Sequence, residues 1–239
     1  MHRLLVETAL LDSDSPVLPA DAAKHLKVLR PKASEEIELF DGHGRTRSYK
    51  WTDDALRSHS IIRLFDHSII PLTLFACVTK GSRWDWTIEK ATELGVTRIV
   101  PVISDRTIVR IPKEERAAKR ARWQRIAEDA ARQSDAKWLP EICEPVDFRD
   151  ALALVRETTC FVGALTTPPS PSLSAAIAHA RSQTSKHFST FVGPEGDFTP
   201  EELKALLEIA IPTSFGPTVL RAETAAIFAV SVLISQVAC

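Results

Sequence analysis

The sequence predicts an α/β protein: a parallel sheet covered by helices on both faces over residues 71–239, preceded by a smaller, mostly β domain over residues 1–70. Three observations carry this. From Leu72 onward, short apolar runs alternate with helical stretches, the pattern of buried strands joined by crossover helices. Before Leu72 the apolar runs are separated by turn signals, with a single helical stretch among them. Thr199-Pro-Glu-Glu202 is a capping box with proline at the first helical position, which marks a helix start firmly.

In the N-terminal part, strands are expected at Arg3–Leu11, Glu35–Phe40, Thr46–Trp51 and Ser60–Phe65. Asp41-Gly-His-Gly44 is a hairpin-type turn between two of them. Asp21–Leu29 reads as a helix, with Leu26 and Leu29 on one face and Lys24, Lys27 and Arg30 around it. Beyond it, strands are expected at Leu72–Val78, Arg98–Ile103, Thr159–Leu165, His187–Val192 and Thr213–Phe215. The helices between them are Trp84–Leu94 (stopped by Gly95), Glu114–Gln133, Phe148–Glu157, Leu173–Gln183 and Pro200–Ile209. Pro168-Pro-Ser-Pro171 is a stiff turn after a strand, at the sheet edge where α/β proteins bind ligands. Strand order is not legible from these patterns.

The hydrophobic fraction of 44% and charged fraction of 26% fit a soluble globular protein. The first residues lack the apolar region of a secretory signal. Ala225–Ile234, the longest apolar stretch, falls well short of the ~20 residues that span a bilayer and reads as a buried helix. Cys77, Cys143, Cys160 and Cys239 are scattered, and the histidines are dispersed, which argues against a disulfide framework or a zinc site. These features describe a reduced, cytoplasmic, metal-free protein. A net charge of −1 argues against a chain that coats nucleic acid nonspecifically. Two local basic clusters stand apart from it: Lys24, Lys27, Arg30 and Lys32, and the run from Arg106 and Arg110 to Arg125. Each alone reads as a solvated helix face; two in separate parts of a near-neutral chain point to phosphate contacts.

Phe191-Val-Gly-Pro-Glu-Gly196 and Phe215-Gly-Pro-Thr-Val-Leu-Arg-Ala-Glu-Thr224 each set an apolar run before a Gly-Pro turn and then a helix. Glycine permits positive φ and lets a ligand approach bare backbone, and a helix start adds free N–H groups. Neither loop matches G-x-G-x-x-G, so the pair suggests a nucleotide-like ligand held by main chain in an uncommon kind of site. No Ser-His-Asp, Cys-His or paired-carboxylate set stands out, which leaves hydrolysis without support.

These two loops resemble the closing motifs of the SPOUT methyltransferases, specifically the RsmE-type ribosomal-RNA uridine N3-methyltransferases. His25-Leu-Lys-Val-Leu-Arg30, Leu39-Phe-Asp-Gly42, the stretch from Lys80-Gly-Ser-Arg83 to Gly95-Val96, and Gln133-Ser134 with Pro140-Glu-Ile142 are similar to that family in the same order. The resemblance implies an N-terminal PUA-like β-barrel that grips RNA, a C-terminal α/β-knot domain threaded as a trefoil, and a homodimer. It implies S-adenosyl-L-methionine as cofactor and small-subunit ribosomal RNA as substrate. The positions it assigns to the cofactor are Leu165, Thr166, Gly193, Pro194, Glu195, Gly196, Phe215, Gly216, Val219, Leu220 and Thr224. Arg221 and Glu223 fall near the reacting base, although Glu223 reads equally well as charge compensation at a helix N-terminus. Lys24, Lys27, Arg30, Lys80, Arg83, Arg106 and Arg110 are assigned to RNA, with Lys80 and Arg83 also suited to the cofactor carboxylate. Trp84 and Trp86 open a helix and read as core, with base stacking the alternative.

Several residues depart from the family pattern. Thr166 stands where a histidine is common, Asp197 where a second glycine is, Thr218 where an arginine is, and Asp135-Ala136 where Gly-Arg is. Two alternatives follow: the same fold acting on another RNA position, or a noncatalytic RNA-binding assembly factor.

Overall fold

The computed structural model describes residues 2–65, 71–155, 158–164, 166, 168–181 and 187–237. The chain divides into two compact units, Met1–Ser68 with Glu128–Leu139, and Ile69–Ala127 with Pro140–Cys239.

The first unit contains β1 (His2–Leu5), a 3-10 turn (Thr8–Asp12), α1 (Ala20–Leu29), β2 (Glu36–Phe40), β3 (Arg45–Thr52), β4 (Ala55–Ser58) and β5 (Arg63–Leu64). The strand expected over Arg3–Leu11 ends at Leu5, because the following turn carries Leu11 into the same core as Leu4, Val6, Leu26, Ile37 and Leu39. β2 and β3 form the expected antiparallel hairpin across Asp41–Gly44. Gly42 and Gly44 sit at φ 73° and 87°. A Cβ on Gly44 would lie 2.4 Å from the Trp138 ring, so glycine is required there by approach as well as by φ.

The sheet runs β1-β2-β3-β4, with β5 also on β3. The closed barrel that the resemblance implies is not found among the described residues: β5 shares β3 rather than bridging β4 back to β1. Residues 128–139 group with this unit, although their pattern continues a helix of the α/β part. Main-chain hydrogen bonds from Gly44 N to the Lys137 carbonyl and from Leu139 N to the Gly42 carbonyl (both 2.9 Å), together with buried Arg3, make the attachment. The Arg3 guanidinium lies 4.1 Å over the Phe40 ring, binds Glu38 at 2.7 Å, and donates to the carbonyls of Ala131 (2.8 Å) and Ala136 (3.1 Å).

The second unit contains β6 (Leu72–Cys77), α2 (Ser82–Glu93), β7 (Arg98–Ile103), α3 (Lys113–Gln133, whose last turns belong to the first unit), β8 (Glu141–Ile142) and β9 (Val146–Asp147). It continues with α4 (Phe148–Ala153), β10 (Thr159–Gly163), α5 (Leu173–Arg181), β11 (Phe188–Val192), α6 (Pro200–Leu207), β12 (Ile211–Thr213) and α7 (Ala222–Val237). The sheet order is β12-β10-β11-β6-β7-β8 with β9 also on β7, and every pairing is parallel. All five residues of β11 are buried, as a central strand covered on both faces requires. Phe191 of β11 stands in register with Phe75 of β6, and their rings stack at 4.6 Å.

Cys77 and Cys160 are buried in this core, and desolvation pushes both thiols up to about 12. α7 is apolar on most of its surface and buries Ala225, Ala226, Ala229, Val230 and Leu233. Among the described residues, no helix is long and apolar enough to cross a membrane.

Candidate functional site

Because the strands are parallel, the loops after β10, β11 and β12 emerge at one edge of the sheet. There they surround a cleft of about 340 Å³, completed by the first turn of α7. Both Gly-Pro loops line it, Gly193–Glu195 from one side and Phe215–Gly216 with Thr218–Arg221 from the other.

Their glycines serve different ends. Gly216 has φ 128° and open space where a Cβ would be. Gly193 and Gly196 are not in the left-handed region, contrary to the expectation that both loops exploit it. Gly193 instead makes room for a neighbour, since a Cβ there would lie 3.1 Å from the Phe198 ring. Gly163, at the end of β10, is bare because Phe215 occupies the place of its side chain; a Cβ would lie 2.5 Å from that ring. Phe215 packs in turn against Phe228 of α7 at 5.7 Å.

The loop after β11 is heavily tied. Asp197 adopts φ 60°, and its Oδ1 accepts from the N–H of Phe198 at 2.7 Å. Asp135, the other aspartate replacing a family glycine, also adopts a positive φ of 58°. Aspartate tolerates this conformation better than most side chains. The expected capping box is formed: Thr199 Oγ1 accepts from Glu202 N, and Glu202 Oε2 accepts from Thr199 N. The second oxygen of Glu202 accepts from Asp105 N at 2.9 Å, linking α6 to the turn after β7.

The charged residues lining the cleft are Glu195, Asp197 and Arg221. Arg83 pairs with Glu195 at 3.3 Å. Glu223 is 9% exposed, and its Oε2 finds no hydrogen-bond partner among the described residues.

Of the sequence-assigned cofactor positions, Gly193, Pro194, Glu195, Phe215, Gly216, Val219 and Leu220 line the cleft, and so does Arg221. Gly196 faces Arg106 instead. Thr166 spends its hydroxyl on the Pro168 carbonyl (2.8 Å) and Ser170 Oγ (2.6 Å). Thr224 and Glu223 lie off the lining, and Leu165 falls outside the described residues. Sequence reasoning missed Gly163, Ala164, Ser214, Ala222 and Ala225, small residues that lack any distinguishing chemistry. The one available signal was the glycine closing the β10 run.

The cations assigned to RNA divide similarly. Lys24, Lys27 and Arg30 are exposed on α1 or just after it, and Lys80 is exposed after β6. Arg106 and Arg110 donate to main-chain carbonyls. On α3, Arg116 pairs with Asp147, Arg120 binds the Ile142 carbonyl, and Arg122 pairs with Asp85. Trp84 is buried against Trp123, whereas Trp86 is 41% exposed. Among the described residues, no group of His, Cys, Asp and Glu could hold a metal.

Residues 66–234 match the family model described as an RNA methyltransferase domain. Two relatives called ribosomal RNA small subunit methyltransferase E align with the chain. The one from Synechocystis is 31% identical over 83% of this chain and 65% of its own length. The one from Bacillus subtilis is 32% identical over 66% of this chain and 62% of its own length. The chain therefore spans under two thirds of the length of these two curated relatives. A solved structure of the enzyme of that name from Neisseria gonorrhoeae, bound to S-adenosyl methionine, superposes with a TM-score of 0.83 at 30% identity, covering 98% of this chain and 97% of that one. With a family model matching well over half of its length, and a cleft at the strand ends of that matched region, the chain belongs to the RNA methyltransferase domain family.

Proposed function

We propose that the protein transfers a methyl group from S-adenosyl-L-methionine to N3 of a uridine in small-subunit ribosomal RNA. The observation that carries this is the cleft itself, built from three strand-end loops and lined by both Gly-Pro motifs, with open space beside Gly216. The residues present fit the cofactor. Its volume suits a nucleoside-sized ligand, which occupies pockets of about 300–1,000 Å³. Phe215, Val219 and Leu220 offer apolar contact to a base and ribose, and the Glu195 and Asp197 carboxylates favour a cationic ligand. The cofactor supplies an activated methyl group on a sulfonium centre.

Uracil N3 carries a proton and is paired in duplex RNA, so the base must reach the cleft unpaired. As the proton leaves N3, negative charge spreads onto the flanking carbonyl oxygens. In this reading Arg221, exposed and lining the cleft just before α7, donates to those oxygens. Buried Glu223 two residues on has one carboxylate oxygen uncommitted. RNA is gripped by a PUA-like N-terminal domain (residues 1–70) through Lys24, Lys27 and Arg30. The α/β domain (71–239) carries the trefoil arrangement of the SPOUT enzymes and works in the cytoplasm as a homodimer.

The test is methylation of small-subunit ribosomal RNA, naked and assembled, taken from a strain lacking this protein, with the product mapped by mass spectrometry. A single new N3-methyluridine is expected. A methyl on another nucleotide would keep the enzyme and replace the substrate; cofactor binding with no methyl transfer to either RNA would leave a noncatalytic RNA-binding factor.

A further inference from the structure

The loop after β11 is braced by a side chain from outside it. Nη1 of Arg106, in the turn after β7, donates to the carbonyl oxygens of Gly196 at 3.0 Å and Phe198 at 3.3 Å. The arginine stem lies along Gly196, where a Cβ would meet Arg106 Cβ at 3.6 Å and Cδ at 3.7 Å. The turn that carries Arg106 is itself anchored. Asp105 N donates to Glu202 at 2.9 Å, Arg110 donates to the carbonyls of Ser104 (3.2 Å) and Asp105 (2.9 Å), and Ser104 N donates to Thr107 Oγ1 at 3.0 Å. Arg106 thus reaches from a fixed base to a loop whose other side, Gly193 to Glu195, lines the cleft.

An arginine serving chiefly as a phosphate contact keeps its donors for the ligand. Here one nitrogen is committed to two carbonyls flanking Asp197, the residue in left-handed conformation. We propose that Arg106 is a positioning residue of the cofactor cleft, holding the 193–198 loop in the shape that presents Gly193, Pro194 and Glu195 to the ligand. This rests on the adenosylmethionine reading of the cleft. Ordering a binding loop before the ligand arrives removes an entropic cost from binding, so the effect belongs in cofactor affinity.

Calorimetric titration of S-adenosyl-L-methionine into wild type, Arg106→Ala and Arg106→Gln tests it, together with the salt dependence of RNA binding. Arg106→Ala should weaken cofactor binding about tenfold, the order expected for losing charge-assisted hydrogen bonds that order a loop. Arg106→Gln, which keeps an amide donor, should lie between it and wild type. Full binding stoichiometry and an unchanged RNA salt slope are expected in both. A wild-type dissociation constant in either folded variant overturns the inference. So does a reduced stoichiometry at unchanged affinity, which signals a merely structural loss. A salt slope lowered by about 0.7–0.9 with cofactor affinity intact would make Arg106 a phosphate contact instead. If wild type itself does not bind the cofactor, the cleft assignment fails and takes this inference with it; wild-type binding with insensitive variants sinks the inference alone.

Discussion

The two Gly-Pro loops read alike in sequence and are built differently. The loop after β11 is locked by a capping box, by Asp197 capping its own turn, by two hydrogen bonds from Arg106 and by the Glu202 link to Asp105. The loop after β12 is open: Gly216 has no heavy atom within 4 Å of a would-be Cβ, and Val219 is 83% exposed. Its ties sit at its base: Ser214 exchanges hydrogen bonds with Gly216 at 3.2 and 3.3 Å and bonds Pro171 and Leu173 through its main chain, and the Phe215 ring packs on Phe228. The lesson is that a glycine motif names a place where backbone is bare without saying why. In one loop neighbouring side chains take up the room; in the other the backbone conformation demands glycine.

The largest expected effect lies just after the open loop, at Arg221. Arg221→Lys keeps the charge but replaces a planar fork of donors with a point charge. Its methylation rate at saturating cofactor and RNA should fall on the order of a hundredfold, the scale of losing one preorganised donor. Cofactor affinity should hold. Single-turnover rates and cofactor titration on the same variant separate the outcomes, and a normal rate removes Arg221 from the chemistry.

The comparison itself is broken or sharpened by matched alanines. Gly216→Ala forces a side chain into φ 128°, a region that costs non-glycine residues on the order of 1–3 kcal/mol. Cofactor binding should weaken accordingly, because the open loop has few ties to hold a strained shape. Gly196→Ala places a Cβ in ordinary contact with the Arg106 stem and should change affinity by less than about 0.5 kcal/mol. Equal effects at the two positions would mean that the loops are not distinct in kind.

Thr199→Ala removes half of the capping box and should cost about 1 kcal/mol of stability. In a domain of this size that corresponds to a melting point lower by roughly 2–4 °C. A calorimetric scan reads it directly, and an unchanged midpoint would show that the remaining ties of the β11 loop suffice without the cap.

What the sequence disclosed follows from which features are local. Strand and helix alternation, the Asp41–Gly44 hairpin and the Thr199 capping box all depend on near neighbours, and all appear in the structure. Strand order depends on crossovers, which no local pattern encodes. The grouping of residues 128–139 with the first unit was hidden because its causes, Arg3 and the Gly42–Gly44 turn, lie far earlier in the chain. In the site, glycines and the Leu-Arg-x-Glu-Thr motif drew attention, whereas Ala164, Ala222 and Ala225 line the cleft by position alone. Arg106 shows what charge reasoning does not reach: a cation in a basic run read as a phosphate ligand, and its Nη1 also donates to two carbonyls across the sheet edge, a contact no charge count reveals.

The smallest effect concerns the remaining tie on the braced loop, the Arg83–Glu195 pair. At 3.3 Å, with side chains 41% and 25% exposed, it lies in the class of surface ion pairs worth at most about 1 kcal/mol. Arg83→Ala alone should therefore weaken cofactor binding only slightly. Glu195→Gln should do more, because its carboxylate lines the cleft and favours a cationic ligand besides accepting from Arg83. A double-mutant cycle on cofactor affinity separates the two roles. A coupling energy below about 1 kcal/mol, with Glu195→Gln costly in both backgrounds, would assign the carboxylate to the ligand and leave the bracing to Arg106. If Glu195→Gln loses its effect once Arg83 is gone, Glu195 matters through the ion pair, and the β11 loop is clamped by arginines on both sides.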